Sequence, residues 1–183
     1  MSQELVTYIV LGSTKRLQDL KKPISNELEE YIFSNLSIDS PNELLIDSLV
    51  SKSNGRIIVL IPPSSIPSSK ARDALKKISM IDLSSWGWFK FNKKNNTLKE
   101  NFLSLSSKLR SIPDISQGIY FNKRLYFSVG GIGKFENSPF KEISKRFYSR
   151  IDPQKPLPAL IIRTKNLNTV SYTHLTLPTN TTV

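Results

Sequence analysis

The amino-acid sequence predicts an α/β layered domain with a largely parallel sheet, and three observations carry that prediction. Short apolar runs rich in β-branched and aromatic residues recur at 5–11, 56–61, 86–91, 118–122 and 160–163. Segments with helical start signals stand between them. Gly, Pro and Asn-Gly punctuation separates the two kinds. Alternating strands and helices are the pattern of helices packed on a parallel sheet.

Each element has its own justification. The run LVTYIVL at 5–11 is closed by Gly12-Ser13-Thr14 and reads as a buried strand and turn. Residues 26–35 read as a helix, with Asn26 as its N-cap and Glu29 three positions on. Ser40-Pro41-Asn42-Glu43 opens another helix, with an N-cap Ser, Pro at the first helical position and Glu at the third. It runs to residue 53, pairs Leu45 with Leu49 and Ile46 with Val50, and stops at Asn54-Gly55. RIIVLI at 56–61 is a continuous apolar strand, the kind buried on both faces of a sheet. Residues 62–67 follow as a proline-stiffened loop and 69–78 as a helix. Residues 86–91 alternate as a strand does, and Thr97 with Glu100 opens a helix to Arg110. Then come a short strand at 118–122, a short helix at 123–129 ending at Gly130-Gly131, a basic helix at 140–148 and a last strand at 160–163.

Composition narrows the chemistry. The chain has 183 residues, no Cys and one His. One domain accommodates that length. Without Cys there is no disulfide framework, thiolate zinc site or cysteine nucleophile, and a single His excludes His-pair metal ligation. No apolar run approaches the roughly 18 residues that span a bilayer, and the N-terminus lacks a signal-peptide pattern. The expectation is a cytoplasmic protein, with an anionic membrane surface among its candidate partners. Charge is lopsided: residues 1–50 carry a net −4 and residues 51–183 a net +15. A basic surface of that kind suits a polyanionic partner, although 18 Lys against 8 Arg is also what an AT-rich genome produces.

The C-terminal residues follow a different logic. Val170 to Thr179 has neither charge nor helical period, and it is the translation of GTC TCT TAT ACA CAT CTG ACG CTG CCG ACG. That DNA resembles the read-through of a transposase-type sequencing adapter, whose continuation accounts for the residues up to Val183. Residues 169–183 are therefore expected to be non-native, leaving 1–168 as the native segment. The only His, His174, lies inside the tail.

Generic site signatures are absent: there is no G-x-x-x-x-G-K-[ST], no strand-linked G-x-G-x-x-G and no H-E-x-x-H. Gly130-Gly131-Ile132-Gly133 offers backbone N–H groups to a phosphate, but such a cluster is more often a tight turn after a helix. Trp86 and Trp88 share a strand face and suit either base stacking or, more commonly, core packing. The cations of the 140–148 helix read first as a solvated face.

The order of segments carries more. Gly55-Arg-Ile-Ile-Val-Leu-Ile61 followed by Pro62-Pro63-Ser64-Ser65-Ile66-Pro67 has the spacing of G-D-hydrophobic-L-F-L-H-A-D-T-x-L-P. Ser116-Gln117-Gly118-Ile119-Tyr120-Phe121, then Lys123-Arg124, then Phe127 with Gly130-Gly131 follows G-D-Q-G-hydrophobic-F, basic residues and F-x-x-x-G-G-F. Residues 139–146 follow E-D-hydrophobic-E-hydrophobic-S-R-R, residues 157–160 an L-P-A-P strand, and residues 8–14 the motif V-D-G-G-S-T. In these motifs the chain resembles the small bacterial family 2 glycosyltransferases. The resemblance implies a nucleotide-diphospho-sugar transferase-like (GT-A-like) fold whose first strand has no counterpart before Met1. It implies substrate contacts at Gln117, Gly118, Arg124, Gly130 and Gly131, and nucleotide contacts at Gly12 and Ser13. The implied partners are a nucleotide sugar and a glycan acceptor.

The departures bear on activity. The family uses a carboxylate loop to hold Mg²⁺ or Mn²⁺ against the donor diphosphate, and a second carboxylate as base. At the matching positions stand Pro63, Val10, Ser116 and Pro139-Phe140. The resemblance thus implies a catalytically degenerate transferase with no metal ligand at Pro63. An active transferase would need displaced carboxylates, with Asp114, Glu136 and Glu142 as the candidates. A basic nucleic-acid-binding module is the third reading, disfavoured because no nucleic-acid motif is present.

Overall fold

In the computed structural model the described residues are 5–12, 23–35, 42–63, 65–81, 83–90, 112–113, 117–134 and 139–162. Seven strands and four helices lie within them, in the order β1 (Val6–Gly12), β2 (Glu29–Asn35), α1 (Asn42–Lys52), β3 (Ile57–Ile61), β4 (Ser65–Pro67), α2 (Ser69–Met80), β5 (Trp86–Trp88), β6 (Ile119–Asn122), α3 (Lys123–Ser128), α4 (Pro139–Tyr148) and β7 (Leu160–Ile162).

β3 is the centre of the molecule because every one of its five side chains is apolar and every one is buried. Period-two alternation sends Ile58 and Leu60 to one face of the sheet and Ile57, Val59 and Ile61 to the other. The first face packs with Ile46 and Val50 of α1, Leu125 and Tyr126 of α3, and Phe140, Ile143 and Phe147 of α4. The second packs with Ala71 and Leu75 of α2. The result is an α/β sandwich with helices on both faces of one sheet, as the alternation of elements predicts.

Strand direction corrects the prediction. The five-stranded sheet has the order β2-β1-β3-β6-β5. β1 is parallel to β2 and to β3, whereas β6 is antiparallel to both β3 and β5. The sheet is mixed rather than largely parallel. Apolar periodicity reports which residues are buried and carries no sign of strand polarity, so β6 gave no warning. β1 pairs with β3 directly, from Val6 opposite Ile57 to Val10 opposite Ile61.

The segment 26–35 is a second correction. Asn26 does what an N-cap does, its Oδ1 accepting the N–H groups of Leu28 and Glu29 at 2.9 Å. The chain then extends instead of coiling, and β2 aligns with β1 from Glu29 opposite Val6. Tyr31 stacks on Tyr8 with ring centroids 4.8 Å apart, and buried Glu29 accepts from the Arg72 guanidinium on α2. Those tertiary contacts, available only to an extended strand, override the local capping signal.

The stretch 62–67 is not all loop: Ser65–Pro67 pairs antiparallel with β7, forming a separate two-stranded sheet. The strand predicted over 86–91 ends at Trp88, with Phe89 making one isolated bridge to Leu157. The helix predicted at 97–110 and the adapter-like tail lie outside the described residues. Among the described residues no helix is long and apolar enough to cross a membrane.

Candidate functional site

The predicted site residues separate into three places. At the carboxyl edge of the parallel strands, Gly12 ends β1, Pro62-Pro63 follows β3, and Gln117-Gly118 leads into β6. A Cβ on Gly12 would stand 2.6 Å from Pro63 Cγ, so the absence of a side chain at Gly12 is what lets the proline ring close onto β1. Gly118 has φ +67, and a Cβ there would meet the Leu60 carbonyl oxygen at 3.0 Å. Gln117 is 3% exposed, and its Nε2 donates to the Phe89 carbonyl at 2.9 Å. That bond anchors the chain beyond β5 to the start of β6. Ser13, Asp114 and Ser116, assigned to the same region from sequence, lie outside the described residues.

Three of the positions matched to family carboxylates are occupied by packing. Val10 and Phe140 are each 3% exposed and belong to the two cores on opposite faces of the sheet. Pro63 is buried against Gly12 and offers no side-chain oxygen. These residues do not fit the divalent cation that the resemblance implies, since neither a pyrrolidine nor a hydrocarbon side chain can donate a lone pair to it. Among the described residues no group of three His, Cys, Asp or Glu side chains converges on a metal-sized point.

The glycine loop is the second place, and its N–H groups turn inward. Gly130, Gly131 and Gly133 all have positive φ, which only glycine adopts without strain. Gly130 N donates to the Phe127 carbonyl, Gly131 N to the Tyr126 carbonyl, and Ile132 N to Asp47 Oδ1. The same carboxylate oxygen accepts from the Tyr126 hydroxyl. Burial first, and the Asp47 carboxylate second, push the Tyr126 hydroxyl well above the usual tyrosine pKa. A Cβ on Gly131 would lie 2.7 Å from Asp47 Oδ1, and one on Gly133 would overlap the Arg146 guanidinium. The loop is a clamp between α1, α3 and α4. Three of its N–H groups already have acceptors inside the protein.

Glu142 sits on α4 with Arg146 Nε at 3.4 Å and Lys145 Nζ at 3.9 Å, an ion-pair face along its own helix. Glu136 lies outside the described residues. Trp86 is fully buried, donates from Nε1 to the Ile151 carbonyl at 2.9 Å, and packs edge-on against Tyr148 and tilted against Phe147. Its ring is core, and Trp88 packs half-buried beside it.

The third place holds Arg124, and it is the opposite edge of the sheet from Gln117 and Gly118. β6 is only four residues long and antiparallel to β3, so residues flanking its two ends emerge at opposite edges. There a pocket of about 390 Å³ is lined by the turn at Asn54 and Gly55, by Arg56, and by Asn122, Lys123, Arg124 and Phe127. The turn is pinned from below. Glu30 accepts from Asn54 N, Asn54 Nδ2 and the Thr7 hydroxyl, and Thr7 Oγ1 accepts from Gly55 N at 2.9 Å. Asn122 caps α3, its Oδ1 accepting from Arg124 N at 2.8 Å. Lys123 Nζ donates to the carbonyls of Ser51 and Ser53 at the end of α1. Sequence reasoning found Arg124 but missed Arg56 and Lys123. The signal was present as two Asn-x-Arg triplets, 54–56 and 122–124, each abutting an apolar strand. Only antiparallel register brings them together. A scan of the chain against protein-family models gives no match, and a search of curated proteins gives none either.

Proposed function

We propose that this chain is a nucleotide-sugar-binding domain with the GT-A-like frame of the family 2 glycosyltransferases and no metal-dependent transfer of its own. The observation that supports this reading is Pro63 closed onto Gly12. At the carboxyl edge, where the sequence motifs align with the donor and metal loops, the Pro63 ring lies directly against Gly12 at the end of β1. In such a site the donor would be held by backbone groups around Gly118 rather than through a metal ion. With no carboxylate at Pro63 or Phe140, the leaving diphosphate has no counter-ion and the acceptor hydroxyl no base at the matched positions.

The test is calorimetric titration of the full chain with UDP-glucose and GDP-mannose, each with Mg²⁺ and with EDTA, beside an assay for released nucleoside diphosphate. The expected result is binding that EDTA leaves unchanged and no release. Mg²⁺-dependent release would overturn the non-catalytic reading and return Asp114, Glu136 and Glu142 as candidates for the base. Absence of binding to either sugar nucleotide would overturn the ligand.

A further inference from the structure

We infer that the pocket at the amino edge of the parallel strands is a carbohydrate site, which takes a neutral pyranose ring by its hydroxyls and one C–H face. It lies at the other end of the strands from Gly12, Pro63 and Gly118, so it does not rest on the reading above.

Asn122 points to the ligand. Of the other lining residues, Arg56 and Arg124 already have partners, so no part of the ligand is assigned to them. Asn122 is 5% exposed, lines the pocket, and caps α3 through Oδ1, which accepts from Arg124 N. The cap fixes how the amide is turned, because its oxygen is the atom that can accept. Nδ2 is then the other arm of the amide. It makes no hydrogen bond among the described residues and is not sealed in the core, so its N–H groups face the pocket.

The facing wall supplies the complement. Asn54 donates to Glu30 from both its backbone N and Nδ2, which leaves Oδ1 as an acceptor at an exposed position. The two walls are held at strand spacing, since Ile57 faces Asn122 and Lys123 N donates to the Arg56 carbonyl at 2.8 Å. Lys123 Nζ spends two of its three N–H groups on the Ser51 and Ser53 carbonyls and keeps one.

That set of groups fits a polyol. A hydroxyl both donates and accepts, so it matches the Asn122 and Lys123 N–H groups as well as the Asn54 oxygen. A pyranose carries hydroxyls around its whole ring, which suits polar groups on facing walls. A nucleobase gathers its polar atoms along its edges. Phe127 lines the same pocket with 47% of its surface exposed. The negative face of an aromatic ring attracts the polarised C–H groups of a sugar face. The volume of about 390 Å³ lies within the range of roughly 300–1,000 Å³ that small-molecule pockets occupy.

The experiment titrates methyl α-glucoside, methyl α-mannoside and maltose into the isotopically labelled full chain, and NMR follows the backbone amides of the wild type, Asn122→Ser and Phe127→Ala. Serine still caps a helix but lacks the Nδ2 donor, and Phe127 is exposed, so both variants are expected to fold, which circular dichroism verifies. At least one sugar should shift the amides of residues 54–56 and 122–127. Asn122→Ser should weaken that sugar about fivefold through the lost hydrogen bond, and Phe127→Ala severalfold through the lost ring. The inference is overturned if none of the three sugars shifts these amides, or if binding is undiminished in both variants. It is also overturned if adenine binds here more tightly than every sugar. Shifts confined to Gly12 and Gly118 would place the sugar at the carboxyl edge, which supports the proposed function and overturns this one.

Discussion

The Tyr126 hydroxyl donates to Asp47 Oδ1, and this bond ties α3 to α1 at the point where the glycine loop turns. The same oxygen accepts from Ile132 N at 3.2 Å, so one carboxylate oxygen serves one donor from α3 and one from the glycine loop.

Removing the two ends of that bond should have unequal costs. Tyr126→Phe deletes one hydrogen bond and leaves Asp47 with Ile132 N, a loss of about 1–2 kcal/mol. Asp47→Ala strands both the Tyr126 hydroxyl and the Ile132 N–H, and the expected loss is about 2–4 kcal/mol. Urea unfolding of both variants measures the difference. Equal losses would show that the Ile132 N–H finds another acceptor.

Glu29 and Arg72 form a pair with one buried member. The Glu29 side chain is 1% exposed and that of Arg72 is 36% exposed, with Lys76 Nζ 3.4 Å from Glu29 Oε1. Arg72→Met leaves a buried carboxylate with Lys76 alone and should cost about 3 kcal/mol, the low end for breaking a buried pair. Glu29→Gln leaves a guanidinium that still reaches water, and about 1.5 kcal/mol is expected. A larger loss for Glu29→Gln than for Arg72→Met in the same unfolding assay would contradict this account.

Alkali should unfold the protein through its tyrosines. Burial raises the hydroxyl pKa of Tyr8 and Tyr120, and burial together with Asp47 raises that of Tyr126, all from an ordinary value of 10.0. Above pH 10.0 the unfolded chain releases these protons while the folded one keeps them, so the stability is complete below that pH and falls above it. Each tyrosine contributes a slope of about 1.4 kcal/mol per pH unit. Tyrosinate absorbance followed with circular dichroism checks the sign: the buried hydroxyls should ionise only together with loss of structure. Their titration in a protein that is still folded would refute the burial argument.

The legible parts of the fold were those in which local chemistry and tertiary packing agree. RIIVLI could only be a strand buried on both faces, and β3 is that strand. Ser40-Pro41-Asn42-Glu43 signalled α1 through its own start residues, and the helix observed is Asn42–Lys52. β2 was illegible because Asn26 makes capping bonds in an extended segment as readily as in a helix. The site was harder still. Gln117 reads as a ligand-facing amide until its bond to the Phe89 carbonyl is seen. The Arg56–Lys123 opposition depends on β6 running antiparallel, and neither hydropathy nor spacing encodes that.

The place of β6 in the sheet also sets an order of events during synthesis. β3 acquires β1 on one side as soon as residues 6–61 exist, but its other side waits for residues 119–122. Until then Ile58 and Leu60 stand at an open strand edge, with β5 left without its ladder partner among the described residues. A nascent chain arrested between Trp88 and Ile119 would expose that edge to other copies of itself. Closing so long a loop makes folding slow for a chain of this length. β6, four residues long, is thus the latch that joins β5 to the β2-β1-β3 ladder and ends the interval in which the chain is open to self-association.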